Sequence, residues 1–546
     1  MALHYKTDVV IIGGGIAGIV CALELLDCSK NAQILILDRD TVENFGGLAK
    51  ESFGGILLVN TPEQQKNKIP DHPDLALRDW FRFGEFGRDP EAEYWPAQWA
   101  EHYLYDSREY LYEWLKARGI RFLPLPLWVE RGVYGNGNSV PRWHVVWGTG
   151  YRLASRLIEV LQSHPEAHRV TLQFNHQVQG LQKSAGQING CFGVVQEQAQ
   201  EFSVQADAVV IAAGGINGDL AQVRAHWHED WGQAPATILN GAHKYADGTL
   251  HWAAQEHGAQ VVGLQQMWNY AAGIHHWHPR KPQHGLSIVP PKTALWLNAK
   301  GERIGPMPLV SGYDTRDLVT QICKQPGGYS WQLMNRKIFL KELAISGAEF
   351  NPAIRNRKKL SLLKDFLLGN HWLYEQITQN SEDVVLADSL SELVDKMNQK
   401  SLYGLQIEAR QLQDTVKNYD DAMRRGTSFI NDEQIRRVMH LRRWRGDRLR
   451  VCKMQPILDG KAMPLVAIRQ FIVSRKSLGG LRTNLKSQVL SRQIGHEPIN
   501  GLYAIGEAAG FGGGGYSGLR SLEGTFLGGC IYTARRAAQA IAGAPL

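Results

Sequence analysis

The run Val9-Val10-Ile11-Ile12-Gly13-Gly14-Gly15-Ile16-Ala17-Gly18 constrains this 546-residue chain more than any other stretch. Its four β-branched residues read as a buried strand, the glycines as a tight turn, and Ile16 onward as a helix. Gly13, Gly15 and Gly18 keep the G-x-G-x-x-G spacing in the strand–turn–helix setting that gives it meaning. There the first glycine permits the turn, the second lets a pyrophosphate approach the backbone, and the third lets the helix pack on the strand. Ile16 and Ala17 open that helix, whose N-terminus offers free N–H groups and a positive dipole end. A second apolar strand, Gln33 to Leu37, ends in Asp38 and Arg39. This is the distance at which an acid holds a ribose hydroxyl. The stretch predicts a βαβ unit that binds a dinucleotide.

A second glycine-rich turn follows. Gly46-Gly47 and Gly54-Gly55 bracket a short polar segment that contains Ser52. Backbone without side chains can lie against a large flat cofactor, and Ser52 is the hydroxyl placed near it. Residues 170–204 read as a β meander, with Val178 in its second strand. It leads into the apolar strand Ala208 to Ala213 and then Gly214-Gly215. Ala212, Ala213 and Gly214 make a second place where backbone passes close to a cofactor. Trp80, Trp95, Trp99, Tyr103, Tyr110 and Trp114 recur at helical spacing and read as core. In Pro141-Arg142-Trp143-His144, both Arg142 and His144 are candidates to face a site.

Composition closes several alternatives. Hydrophobic content of 44% and charged content of 21% are globular, and the length suggests two or three domains. The net charge of +7 is mild. The basic run of residues 436–453 carries only Trp444 as a stacking aromatic, so it reads as a solvated face or a docking patch rather than a nucleic-acid surface. The six cysteines form no C-x-x-C, which leaves no case for an iron–sulfur cluster, c-type haem or structural zinc. In His275-His276-Trp277-His278, adjacent histidines do not share a face and no carboxylate lies in the run, so no metal is expected. The chain has no charged-then-apolar leader before its first strand, and no run of about 18 apolar residues. A cytoplasmic protein without an integral membrane segment is the expectation.

The C-terminal part returns to α/β grammar. Ile499 to Gly510 includes Gly506-Glu507, a glycine-rich loop runs from Phe511 to Gly518, and a last helix begins near Glu523 to Thr525. Taken together, the glycine turn, the Gly46-Gly47…Gly54-Gly55 loop, Asp207 to Gly215, Ala246-Asp247-Gly248, Ala387 to Leu393, Leu478-Gly479-Gly480-Leu481 and Gly501 to Glu507 resemble one family. It is the flavoprotein family of fumarate reductases, succinate dehydrogenase flavoprotein subunits, L-aspartate oxidases and 3-ketosteroid Δ1-dehydrogenases.

The resemblance implies an α/β protein. A Rossmann-like FAD-binding domain is formed by both ends of the chain, residues 1–260 and 456–546, with an α+β cap domain inserted at 261–455. By the same match, Gly13, Gly15 and Gly18 hold the pyrophosphate of FAD and Asp38 its ribose. Gly46, Gly47, Ser52, Gly54 and Gly55 lie along the cofactor, Val178 brings backbone towards adenine, and Gly506 and Glu507 meet the ribityl chain. Thr525 and Phe526 open the last helix beside the flavin. Members that bind FAD covalently use a His near the second glycine loop; Ser52 to Leu57 contains none, which implies non-covalent FAD.

On the substrate side the chain departs from its relatives. Fumarate reductases carry a His just before their equivalent of Leu478-Gly479-Gly480; here Arg475, Lys476 and Ser477 stand there. The loop Tyr516-Ser517-Gly518-Leu519-Arg520 combines the Tyr of the ketosteroid pattern with the carboxylate-binding Arg of the dicarboxylate pattern. Either side chain could stabilise an enolate oxygen. Tyr516, Arg520 and His144 are the expected catalytic residues. Tyr134, His144, Tyr270 and His276 are the candidates for the base. The expected reaction moves hydride across a C–C bond beside a carbonyl, on an apolar ketone in the manner of a 3-ketosteroid dehydrogenase, with an electron acceptor or donor as second partner. The alternatives are an enoic-acid reductase of the fumarate type and an electron-transfer flavoprotein subunit.

Overall fold

Val9–Ile12 is a strand with all four side chains buried, at the middle of a six-stranded sheet. The computed structural model describes residues 2–544 apart from 308, 311 and 494. Across the sheet the strands are Gln488–Leu490, Pro498–Ala504, Ala208–Ile211, Val9–Ile12, Ile34–Leu37 and Val170–Gln173. All neighbours are parallel except the edge strand Gln488–Leu490. Strands buried on both faces need continuous apolar runs, which these have. Alternation divides them. Val9, Ile11, Ile34 and Ile36 pack with the helices Ile16–Cys28 and Thr525–Ile541. Val10, Ile12, Leu35 and Leu37 pack with the meander residues Val178, Leu181 and Ile188. The two ends of the chain therefore meet in one sheet and one core.

The meander is the antiparallel set His176–Ser184, Gln187–Val195 and Gln200–Gln205, with Leu3–Lys6 added in parallel to the last. A second large sheet is built around one long strand, Leu465–Ser477. Ser330–Asn335 and Met267–His275 flank it, and Val384–Ala387 and Ile238–Asn240 also pair with it. Strand pairing thus carries this sheet beyond the expected limits of 261–455 at both sides. The reason is visible in the residues: Leu465 to Ser474 is buried throughout and continues without a break into Arg475-Lys476-Ser477. The flanking strand Ser330–Asn335 is buried along its whole length. Among the described residues, no helix is long and apolar enough to cross a membrane.

Arg142 is part of the scaffold. Its guanidinium is fully buried and donates to both oxygens of Asp71 (2.9–3.0 Å), to Asp79 Oδ2 (2.6 Å) and to Asn138 Oδ1 (2.8 Å). Asp79 Oδ2 also accepts from the backbone N–H and hydroxyl of Ser139 (2.8 and 2.7 Å). Breaking a buried ion pair from one side leaves an uncompensated charge. Asp79→Ala is therefore expected to cost about 3–5 kcal/mol in urea unfolding of the holoprotein. A loss near zero would contradict the structural role.

Candidate active site

A cleft enclosing about 1650 Å³, counted to its open mouth, runs from the first glycine turn to the N-terminus of the last helix. The glycines at its start divide by what a side chain would meet. A Cβ on Gly13 would lie 2.4 Å from Ala212 O, one on Gly14 2.4 Å from Asp38 Oδ2, and one on Gly18 2.1 Å from Gly13 O. Those three are required by the protein's own packing. Gly15 is different: its φ of −71° suits any residue, and a Cβ there would meet nothing within 4 Å. The space beside Gly15 is kept open for something other than this chain. Gly15 is also the N-cap of the helix Ile16–Cys28 and offers no capping side chain, while Ile16 and Ala17 line the cleft. An anionic group fits there.

Asp38 lies at the end of Ile34–Leu37 and lines the same region. Its Oδ2 accepts from Gly14 N–H and its Oδ1 from Asp40 N–H, both at 2.8 Å. Burial holds its carboxyl above the usual range, and these N–H groups act against that shift. Each oxygen keeps a further lone pair for a ligand hydroxyl. Arg39 donates to Asp247 Oδ2 (2.6 Å), and its guanidinium lies 4.3 Å from the centre of the Tyr245 ring, which closes one wall.

The far end has another chemistry. Glu523 Oε2 accepts from the hydroxyl of Tyr270 (3.0 Å) and from the indole N–H of Trp268 (3.1 Å). Burial and the neighbouring Glu523 hold the Tyr270 phenol well above its ordinary range, so it keeps its proton. The Lys476 ammonium sits 3.9 Å above the Phe526 ring, and burial pulls it down to about 8. Arg475 lines the same end and donates to Gly241 O (2.7 Å). Glu507 stands in the wall between the ends, where its Oε1 accepts from Ser477 N–H (2.9 Å); burial raises its carboxyl to about 7.

The FAD binding domain family model matches residues 8–527. The chain belongs to the FAD-binding flavoprotein oxidoreductases. A KsdD-like steroid dehydrogenase of Mycobacterium tuberculosis is 39% identical over 98% of this chain and 95% of its own length. Two solved structures share the fold. The 3-ketosteroid Δ1-dehydrogenase from Sterolibacterium denitrificans aligns with a TM-score of 0.68 at 15% identity, over 98% of this chain and 99% of that one. A flavocytochrome c3 fumarate reductase aligns with a TM-score of 0.67 at 17% identity, over 99% of this chain and 78% of that one. This flavoenzyme is an FAD-dependent oxidoreductase acting on CH–CH groups.

The cleft gathers most of the residues expected to touch FAD. Gly13, Gly15, Ile16, Ala17, Asp38, Arg39, Gly47, Ser52, Gly54, Gly55, Val178, Ala212, Ala213, Gly214, Glu507 and Phe526 all line it. Gly18, Gly46, Gly506 and Thr525 are not in its lining. Gly18 allows the helix to approach Gly13. Gly46 takes a φ of +106° as its N–H donates to Gly14 O (3.0 Å). Gly506 N–H donates to Thr533 Oγ1 (2.8 Å), and the Thr525 hydroxyl donates to Leu522 O (2.9 Å). These four shape the backbone around the site.

The three expected catalytic residues are placed elsewhere. Tyr516 is fully buried, packs edge-on to Trp80 and Tyr103, and turns its hydroxyl to Thr525 O. Arg520 is held by Asp314 Oδ2 (3.0 Å) and by Glu85. His144 is fully buried, with its Nε2 2.7 Å from Thr61 Oγ1 and its Nδ1 2.7 Å from Arg142 O, and burial pulls it to about 4. None of the three lines the cleft. Of the four base candidates, Tyr134 is 82% exposed and His276 stacks on His284, which leaves Tyr270 as the one that faces the cleft. Glu523, Lys476 and Arg475, which the sequence did not single out, also line the cleft. The available signal was their position beside the start of the last helix and before Leu478-Gly479-Gly480.

Two outcomes follow. Gly15→Ala leaves the unfolding temperature of the FAD-free protein unchanged but weakens FAD binding by on the order of tenfold or more, measured by flavin fluorescence titration. A stable variant with parental FAD affinity would refute the pyrophosphate role. For Glu507, the folded carboxyl titrates at about 7 against an ordinary 4.5. Between those values the native state holds a proton that the unfolded chain has lost, so stability falls as pH rises through that window. Glu507→Gln should remove this slope from the Tm-versus-pH curve of the FAD-free protein; an unaltered slope would assign it to other groups.

Proposed function

We propose that this flavoenzyme dehydrogenates the carbons beside the carbonyl of a bulky apolar ketone, with 3-ketosteroids as the substrate class. The observation that carries the reading is the Tyr270–Glu523 pair beside Phe526, at the end of a cleft otherwise suited to FAD. The near full-length similarity to a KsdD-like steroid dehydrogenase supports the substrate class. So do the rings of Phe53, Trp143 and Phe526 in the lining. We also infer that the parallel sheet and its flanking helices form a Rossmann-like FAD domain, and that the sheet around Leu465–Ser477 forms the inserted cap. The FAD is taken to be non-covalent, so acid precipitation releases it.

Bound FAD supplies the hydride acceptor. Tyr270 takes the proton from the substrate carbon as it passes its own proton to the Glu523 carboxylate, so that one proton leaves carbon and one arrives on Glu523. Trp268 N–H and the Tyr270 hydroxyl fix the orientation of that carboxylate. Arg475 and Lys476 place positive charge where an enolate oxygen develops. An external electron acceptor closes the cycle. Reduction of a short enoic acid remains as the second reading, because Arg475 and Lys476 face the cleft and Arg475 Nε has no partner among the described residues.

Dye-coupled turnover separates the two. The holoenzyme is expected to reduce an electron-accepting dye with a 3-ketosteroid and to leave fumarate untouched with a reduced dye. Glu523→Gln should lower kcat by roughly 10²–10⁴ with the flavin retained. Steady fumarate reduction with an inert ketosteroid would sink the proposal, as would parental kcat in Glu523→Gln.

A further inference from the structure

The helix Lys359–Leu368 buries none of its side chains. Leu360, Leu363 and Leu367 recur at helical spacing along one stripe and are 84%, 54% and 69% exposed. Leu368 flanks the stripe at 65%, and Trp372 stands just beyond at 41%. A ten-residue helix is marginal by itself. This one is held from its other side and its ends: Lys341 donates to Phe366 O, and Asn370 N–H donates to Leu340 O (2.7 Å). The leucines of the stripe contribute nothing to that attachment. Contiguous exposed apolar surface marks an interaction site more often than a folding requirement.

The surroundings of the stripe are cationic. Residues 352–372 contain Arg355, Arg357, Lys358, Lys359 and Lys364 against the single acid Asp365. Asp365 is itself within reach of the charges of Lys364 and Arg450. Arg450 ends the arginine-rich run, in which Arg448 and Leu449 are exposed as well. The half-buried Arg450, whose charge acts on Asp365, brings the exposed Arg448 and Leu449 towards this helix.

We propose that this face seats the flavoenzyme peripherally on an anionic phospholipid bilayer. The leucine stripe enters the boundary between headgroups and acyl chains, and the lysines and arginines meet the lipid phosphates. Lys364 lies within the stripe, and its long stem lets the ammonium reach the headgroups. The charge argues against a second copy of this chain as the occupant, because a two-fold pairing would set the same cations against one another. A single helix with no buried side chain presents a ridge, which suits a flat, deformable surface. The chain runs from Ser346 in the cleft wall, through Ala348, whose N–H donates to Glu51 O (2.8 Å), to the start of this helix. The seat is thus covalently close to the cleft. It does not depend on which ketone is turned over.

The test is co-sedimentation of the holoenzyme with vesicles of pure phosphatidylcholine or of phosphatidylcholine with phosphatidylglycerol. Binding is expected with the anionic vesicles, weakening as salt rises, and little with the neutral ones. Each lysine neutralised should weaken partitioning by roughly fivefold. The triple variant K358Q/K359Q/K364Q should therefore lose on the order of a hundredfold. L360S/L363S/L367S should also abolish sedimentation, while both variants keep the flavin spectrum and dye-coupled turnover. A parent that stays in the supernatant with anionic vesicles overturns the proposal. So do variants that bind as the parent does, or a dimer seen by light scattering that the leucine variant dissolves in place of any vesicle binding.

Discussion

Glu24 joins the two ends of the chain, and the cleft depends on that junction. It is 4% exposed in the first helix, Ile16–Cys28, and both its oxygens are taken. Arg535 of the last helix donates to Oε1 and Oε2 (2.9 and 2.8 Å), Gln539 to Oε1 (2.8 Å), and Trp114 to Oε2 (3.1 Å). A buried carboxylate is tolerated only when paired and hydrogen-bonded in this way. The pair holds the helix Thr525–Ile541 on the helix Ile16–Cys28, and their apolar faces share one core. Phe526 and Glu523 therefore stand at the end of the cleft that begins with Gly15.

A second tie sets the second large sheet against this frame. The long strand Leu465–Ser477 ends where Ser477 N–H donates to Glu507, on the turn after Pro498–Ala504. The next residue, Leu478, donates to Gln266 O (2.9 Å), just before the strand that carries Trp268 and Tyr270. Lys476 and Tyr270 thus reach the far end of the cleft from adjacent strands of the second sheet, while Glu523 reaches it from just before the last helix. The cleft is polarised as a result. Free helix N–H groups and Asp38 occupy one end, and two cations with a phenol–carboxylate pair occupy the other.

What the sequence made legible were features governed by local rules. Glycine spacing, apolar runs and an acid at the end of a strand are each decided within a few tens of residues, and the strand–turn–helix–strand unit was read from them. Tyr516, Arg520 and His144 depended instead on side-chain direction, which residues far away decide. Tyr516 is enclosed by Trp80 and Tyr103, Arg520 by Glu85 and Asp314, and His144 by Thr61. Glu523 and Lys476 carry no signature of their own; they form one end of the cleft only when Trp268, Tyr270 and Phe526 are brought beside them. The partners of Leu465–Ser477 were illegible for a similar reason, because an apolar strand shows no mark of the sheet it joins.

On the proposed function, the chemistry sits at Tyr270 and Glu523 rather than in the Tyr516–Arg520 loop. A crystal structure of the FAD-loaded enzyme with a bound 3-ketosteroid tests this most directly. The expected result is the carbon beside the ketone in contact with the Tyr270 hydroxyl, the Tyr270–Glu523 hydrogen bond intact, and Arg520 still held by Asp314 and Glu85. A ligand seated against Tyr516, with its hydroxyl released from Thr525 and Arg520 turned towards the flavin, would contradict it.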